Sequence, residues 1–340
     1  MRQKLGFYLL LTAVITTGCS SDRSNTENLP FIDIRKNYPE KELLITDFAD
    51  VTYVYLNSDD ADYLYKGSIH NVTNNTIVVF DIAWGSVLFF SKDGTPKSRF
   101  NRVGQGPEEY YNEGRIHYDE ETDDVFVFND RVDYIQVYSS QGEYKRKIPV
   151  PEYTKSHSLV FFDNQSFWVV AEDYYKYIRH ETREKNKDEI LNYISYYRIS
   201  KTNGEILDSF VLPTNDVFLV ANHPNPRIYS QNFYYRLAKG RDGLFVCNPE
   251  IDTVFLYTQD KSLTPIFYKT PPANKLESMA VLENIVDVSK YQFFCITTIH
   301  WKRNDYPDSY YFRDKETNDI FRQKIILSDY KGKEFNIFPL

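Results

Sequence analysis

An all-β fold is what the sequence predicts, a β-propeller in which repeated four-stranded antiparallel sheets close into a ring. Three observations carry this. Aromatic residues are abundant, with 29 Tyr and 24 Phe against 2 Met, a bias that favours strands. Short, wholly apolar runs end at Phe80, Phe128, Val170, Cys247 and Ile296, at intervals of 48, 42, 77 and 49 residues. Three of those intervals fit the roughly 40–50 residues of a propeller blade. Each run is followed by a second strand-like run and then a tight turn such as Asp93-Gly94, which suits the positive φ of hairpins.

The physical reason for a ring follows from the runs. Ile77–Phe80 and Val125–Phe128 have apolar side chains in both directions. A sheet with two apolar faces cannot be buried alone, so it stacks on copies of itself, and closure limits exposed edges. The competing architecture is a β-sandwich followed by a second β domain. The 340 residues suffice for either.

In chain order, Arg2 and Lys4 precede an apolar stretch from Leu5 to Ile15, a signal-peptide pattern too short to span a bilayer. It ends in Ile15-Thr16-Thr17-Gly18-Cys19. This resembles a bacterial lipobox, with Thr16 where the consensus usually has Leu. The resemblance implies cleavage before Cys19 and lipidation of its thiol. An ordinary signal peptide with an incidental cysteine is the alternative. Residues 1–18 are then leader, and the polar residues 19–30 a flexible tether. The expected location is the cell envelope, lipid-anchored at the outer membrane.

The body spans residues 31–340. Leu43–Ile45 and Val51–Leu56 read as strands. Five units follow, with second runs Val87–Phe90, Ile135–Tyr138, Ile194–Ile199, Val254–Tyr257 and Tyr310–Phe312. Their turns are Asp93-Gly94, Gln141-Gly142, Asn203-Gly204, Asp260-Lys261 and Thr317-Asn318. A sixth blade is expected from the N-terminal strands joined to Lys324–Leu327 and Phe335–Phe338. Glu181–Asn192 reads as a short helix or long hairpin, and Leu276–Leu282 as a helix with Leu276, Met279 and Ala280 on one side.

Phe89-Phe90-Ser91-Lys92-Asp93-Gly94, followed by Gly104-Gln105-Gly106-Pro107-Glu108-Glu109-Tyr110, resembles the six-bladed propeller lipoproteins of Bacteroides-type bacteria, relatives of NHL-repeat propellers. Asp93, Gly94, Gly104, Gly106, Pro107, Glu109 and Tyr110 fill the family pattern. The resemblance implies six blades and an envelope location. It implies no activity and no catalytic residue.

The formal charge is −8, and removal of Arg2 and Lys4 makes it −10, which argues against nucleic acid as a partner. Gly104-x-Gly106 lacks the Gly-Lys-Ser/Thr of a phosphate loop and reads as a tight connection between blades. The six histidines show no zinc spacing and read as scattered surface or loop residues. Asp81, Asn129 and Asn248 follow the candidate innermost strands, where carboxylates and amides hold calcium in some propellers. Calcium is thus the alternative to having no cofactor. Cys247 and Cys295 read as buried thiols, with a disulfide as the alternative.

The aromatic clusters Tyr174-Tyr175-Lys176-Tyr177, Tyr196-Tyr197, Tyr234-Tyr235, His300-Trp301 and Tyr310-Tyr311 exceed what strand alternation buries. They suit sugar stacking or protein contact. Two functional classes follow. One is a membrane-anchored platform for a glycan, peptide or protein, with Tyr174, Tyr175 and Tyr177 as candidate binding residues. The other is a lyase or lactonase-like hydrolase with a metal in its channel.

Overall fold

A computed structural model describes residues 29–112, 114–129, 131–154, 159–172, 194–212, 237–248, 251–272, 279–300, 305–327 and 333–335. Among these residues five sheets form, each with a four-stranded antiparallel meander. Sheet 1 holds β3 (Gly67–Val72), β4 (Thr76–Asp81), β5 (Ser86–Ser91) and β6 (Pro96–Phe100). Sheet 2 holds β7 (Arg115–Asp119), β8 (Asp124–Phe128), β9 (Tyr134–Tyr138) and β10 (Tyr144–Pro149). Sheet 3 holds β11 (Val160–Phe161), β12 (Ser166–Glu172), β13 (Ile194–Ser200) and β14 (Ile206–Val211). Sheet 4 holds β15 (Leu237–Lys239), β16 (Leu244–Cys247), β17 (Thr253–Tyr257) and β18 (Leu263–Thr270). Sheet 5 holds β19 (Met279–Asp287), β20 (Tyr291–Ile299), β21 (Asp308–Asp314) and β22 (Ile320–Leu327).

The apolar runs seen in the sequence are the second strands of these sheets, not the first. β4 and β8 are buried along their whole length. The first strands are shorter or more polar, and they approach one another around the axis, β3 beside β7, β11 beside β15 and β15 beside β19. The second and third strands fill the seams between sheets. Phe80, Phe89 and Val87 meet Tyr110, Ile116 and Val125 between sheets 1 and 2. Phe126, Phe128 and Ile135 meet Phe167 and Val169 in the next seam. Trp168 and Tyr196 meet Val246 and Tyr257 in the third, and Phe245 and Phe267 meet Ala280 and Phe294 in the fourth.

Five equivalent turns join third to fourth strands. In each, the last residue of the third strand or its immediate neighbour donates its N–H back across the turn. The pairs are Ser91 to Thr95, Ser139 to Glu143, Ser200 to Glu205, Thr258 to Ser262 and Asp314 to Asp319, at 2.8–3.0 Å. One residue per turn has positive φ: Gly94, Gly142, Gly204, Lys261 and Asn318. A Cβ at Gly142 would stand 2.5 Å from the Cβ of Phe100, and one at Gly204 2.3 Å from the Pro149 carbonyl. The turns of sheets 2 and 3 therefore lie against the outermost strand of the preceding sheet.

At sheet 1 the same contact is made by the N-terminal segment. A Cβ at Gly94 would stand 1.9 Å from the Tyr55 carbonyl, and the Asn57 N–H donates to the Gly94 carbonyl at 2.9 Å. Tyr55 thus holds, against sheet 1, the place that an outermost strand holds against sheets 2 and 3. Val54, Leu56 and Tyr63 cover Ile77, Val79, Leu88 and Phe90. Upstream, Leu43, Ile45 and Phe48 cover Phe293, Phe312 and Ile325 on the free face of sheet 5. Upstream again, β1 (Phe31–Asp33) and β2 (Glu40–Leu44) run parallel to β18 and β22 as fifth strands. The N-terminal segment is a belt that passes sheets 4 and 5 and ends on sheet 1.

Some expectations need correction. Val51–Leu56 forms no strand; Val54 and Leu56 pack on the face of sheet 1 instead of pairing with an edge. Met279–Leu282 opens β19 and pairs with Ile296–Ile299, so the helix expected there is overturned from Met279 onward. Helical spacing in so short a run was outweighed by strand pairing. Glu181–Asn192 lies outside the described residues. The terminal strands do share a sheet: β2 and β23 (Lys333–Phe335) both pair with β22. That sheet is sheet 5, not a separate unit. Cys247 and Cys295 are both free and buried, and burial pushes the Cys247 thiol up to about 12.

Gly142→Ala is expected to destabilise the fold by at least about 2 kcal/mol, through its left-handed φ and the contact with Phe100. Urea unfolding checks this. A variant as stable as the parent would contradict the packed turn.

Candidate binding face

The connection after β6 carries the motif Gly104 to Tyr110, and its geometry explains each residue. Tyr110 is buried between sheets 1 and 2. Its hydroxyl donates to the Gly85 carbonyl at 2.6 Å and accepts the Arg102 N–H at 3.3 Å. Burial raises its pKa above the ordinary tyrosine value. The loop closes on itself, with the Tyr110 N–H on the Arg102 carbonyl and the Gly104 N–H on the Tyr110 carbonyl. The Glu109 carboxylate folds back onto the Gly106 N–H at 2.8 Å. A Cβ at Gly104 would lie 1.8 Å from that carboxylate. The donors a phosphate would need are thus taken by the loop's own oxygens.

This loop fixes a second one. Ile82–Gly85 joins β4 to β5 at the same end of the ring. Asn101 donates from its amide to the Trp84 carbonyl at 2.7 Å, and Asn112 to the Ile82 carbonyl at 3.3 Å. Gly85 has a φ of 74° and is packed against Val103 and Asn112, so a Cβ there would meet both. Held on both sides, the turn presents Trp84 to solvent at 76% exposure, with Ile82 and Val103 exposed beside it. Nearby, the Arg131 guanidinium stands 5.9 Å from the Tyr111 ring centre. The result is an exposed indole on a backbone that has little freedom to move.

The opposite end of the ring is polar and stitched. The Lys201 ammonium meets Asp119 at 2.8 Å with both side chains largely buried. Arg146 bridges Asp124 and the Lys201 carbonyl. Glu120 accepts from the Thr76 hydroxyl at 2.7 Å, and Asn164 donates to Glu121 at 2.8 Å. These contacts join neighbouring sheets, so their carboxylates are occupied by the fold.

The remaining sequence candidates separate clearly. Tyr174, Tyr175 and Tyr177, together with Cys19, Tyr234, Tyr235 and Trp301, lie outside the described residues. Tyr196 is core: it is fully buried and stacks on Phe210 at 4.7 Å. Tyr311 stacks on Phe294 at 5.8 Å and is half-buried. Asp81 accepts the N–H groups of Lys66 and Ala83, and Asn129 that of Arg131. Asp81 ends and Asn129 follows a second strand, where both act as turn residues, so the strands they adjoin are not the innermost ones as expected. Asp93 likewise accepts from Ser91 and Thr95 within its own turn.

His70 and His117 are not scattered surface residues. They lie on inner strands β3 and β7: the His70 ring packs on Phe80 and its Nδ1 accepts the Ile116 N–H at 3.2 Å, while the His117 ring packs on Phe161 of sheet 3. Burial, with Arg115 nearby, pulls His70 down to about 4. Burial, His70 and Arg115 do the same to His117.

Sequence reading missed Trp84. The available signal was a bulky indole directly before Gly85, in a turn between two runs already filled with apolar residues.

The chain belongs to the family DUF5128, described as a 6-bladed beta-propeller, whose pattern matches residues 20–340. No curated protein matches it in sequence. Among solved structures, a protein assigned as exported from Bacteroides fragilis is similar at 14% identity and a TM-score of 0.53. The match covers 84% of this chain and 78% of that one. A member of the DUF4221 family from Bacteroides vulgatus is similar at 11% identity and a TM-score of 0.43, covering 81% and 94%. These likenesses concern the fold.

Two outcomes follow. Tyr110→Phe should cost about 1–3 kcal/mol, because it leaves the Gly85 carbonyl and the Arg102 N–H without their partner; thermal and urea unfolding measure this. The histidines set an acid limb. Unfolded, they titrate near 6.5; folded, near 4. Between those values the unfolded chain binds more protons, so the stability they contribute is present above about 6.5 and is lost as pH falls through about 4. His70→Gln/His117→Gln should flatten the pH dependence in that window. An unchanged slope would contradict the buried neutral pair.

Proposed function

We propose that the chain is a lipid-anchored cell-envelope protein whose propeller binds a glycan at the end of the ring marked by Trp84. One observation carries this: Trp84 is exposed on a turn locked by Asn101, Asn112 and Tyr110. Exposing an indole is unfavourable, and holding it rigid removes the entropy cost of ordering it on binding. A flat apolar face with polar groups close by suits the face of a sugar ring. Ile82 and Val103 widen the platform, and Arg131 and Asn112 supply polar contacts at its border.

Tyr174, Tyr175 and Tyr177 remain part of this reading. In sequence they stand between β12 and β13, the counterpart of the β4–β5 connection that carries Trp84. The lipobox-like sequence ending at Cys19 supports the anchor, and the polar residues 19–30 supply the tether. The outer membrane is the proposed membrane. A peptide or protein ligand is the competing outcome of the same experiment.

Two measurements test the reading. Cys19→Ser should move the protein from the membrane to the soluble fraction and abolish incorporation of labelled palmitate. Retention in the membrane with labelling would refute the anchor. On a glycan array, the parent should capture at least one glycan class, and Trp84→Ala should lower that signal at least about tenfold with an unchanged melting temperature. Glycan capture that survives Trp84→Ala would refute this site, and a Trp84-dependent signal seen only with peptides would replace the glycan.

A further inference from the structure

The end of the ring that displays Trp84 carries a second aromatic on a fixed turn. β10 is the fourth strand of sheet 2, so the connection leaving it emerges where the β4–β5 turn and the Gly104–Tyr110 connection lie. Pro151-Glu152-Tyr153-Thr154 makes the first turn of that connection. The Pro151 carbonyl accepts the Thr154 N–H at 3.2 Å and the Thr154 hydroxyl at 2.6 Å. Thr154 is buried and bridges to Ala171 near the end of β12. On the other side, the Val150 N–H donates to the Asp133 carbonyl at 3.0 Å. The turn is thus tied to sheet 2 and to sheet 3.

Tyr153 holds the third position of this turn with a φ of 64°. Such a position calls for Gly or Asn, and a bulky side chain there is an outlier. Asp123, Lys261 and Asn318, the other non-glycine residues with positive φ among the described residues, lie in hairpins between paired strands. Tyr153 lies in a connection between sheets and is 36% exposed. Burial alone therefore does not account for an aromatic at a glycine position. Strain kept at an exposed aromatic is a mark of use. Between Trp84 and Tyr153, in order around the ring, come half-buried Tyr111, the Arg131 guanidinium 5.9 Å from its ring centre, and exposed Asp133 and Glu152. Stacked sheets lie about 10 Å apart, so a path from the sheet 1 turn to the seam of sheets 2 and 3 is longer than one sugar ring.

We propose that the ligand is a linear oligosaccharide lying along this end of the ring from Trp84 to Tyr153, with Tyr153 as its second stacking platform. This rests on the glycan reading of Trp84 and adds the length and direction of the chain bound. One sugar face covers the Trp84 indole and another, further along the chain, covers the Tyr153 ring. Arg131, Asp133 and Glu152 hydrogen-bond hydroxyl groups of the units between. Two platforms on one rigid support act as linked sites. A chain that reaches both gains affinity over one that reaches Trp84 alone.

The probe is an array printed with each glycan class at every length from single sugars to hexamers, read with the full chain. For the class captured, affinity should rise at least about tenfold from the shortest member bound to the hexamer. Tyr153→Gly should weaken hexamer binding at least about tenfold, with the shortest member unaffected. Tyr153→Phe keeps the platform and should bind the hexamer as the parent does. Tyr153→Gly should melt no lower than the parent, because glycine adopts this φ without strain. Capture that depends on Trp84 but ignores Tyr153→Gly, or that does not grow with length, would overturn this proposal and leave the Trp84 site standing. A lower melting temperature in Tyr153→Gly would make Tyr153 a packing residue and overturn the proposal as well. Capture of no glycan at all would overturn both readings.

Discussion

The structure rests on a burial constraint: each sheet has two apolar faces, and both must be covered. β4, buried along its whole length, cannot exist in a sheet with one solvated side. Stacking sheets one on another solves this for every face except the two at the ends of the stack. Here those are the free faces of sheet 5 and sheet 1, each with its own cluster of aromatic and aliphatic side chains. The N-terminal segment covers both, with Leu43, Ile45 and Phe48 on one and Val54, Leu56 and Tyr63 on the other. In a family described as six-bladed, this segment stands at the sixth position between them. Tyr55 touches Gly94 as Phe100 touches Gly142 and Pro149 touches Gly204.

The same ring gives its two ends different chemistry. At one end, ion pairs and carboxylate hydrogen bonds cross from sheet to sheet, and charged groups such as Asp119 and Lys201 are consumed by structure. At the other, Tyr110 pins the connecting loop into the seam, and the loop in turn pins the Trp84 turn. Packing at the first end leaves little free chemistry, whereas packing at the second displays an indole. The display of Trp84 at the second end therefore follows from the same contacts that hold the first two sheets together.

How much of this was legible depended on which periodicity a residue obeyed. Second and third strands were plain in the sequence because both faces are apolar. First strands were not: Gly67–Val72 and Arg115–Asp119 carry polar residues toward the axis, and Val160–Phe161 is only two residues long. The belt was half legible. Leu43–Ile45 reads as a strand, and β2 runs from Glu40 to Leu44, while Val51–Leu56 alternates like a strand but forms none. The motif from Gly104 to Tyr110 stands out in the sequence, but the contact that crowds its glycines, the folded-back Glu109 carboxylate, needs coordinates. At the site, paired tyrosines drew the reading toward Tyr196, which is core. The exposed Trp84 was overlooked because a single aromatic in a turn makes no pattern.

The most direct test of ring closure is native-state hydrogen exchange on Phe48→Asp/Val54→Asp. These substitutions put charges against the two free sheet faces. If the N-terminal segment completes the ring, protection should fall together in β4 and β5 of sheet 1, in β20 and β21 of sheet 5, and in the sheets between. Loss of protection confined to residues 43–64, with every sheet unchanged, would contradict the account.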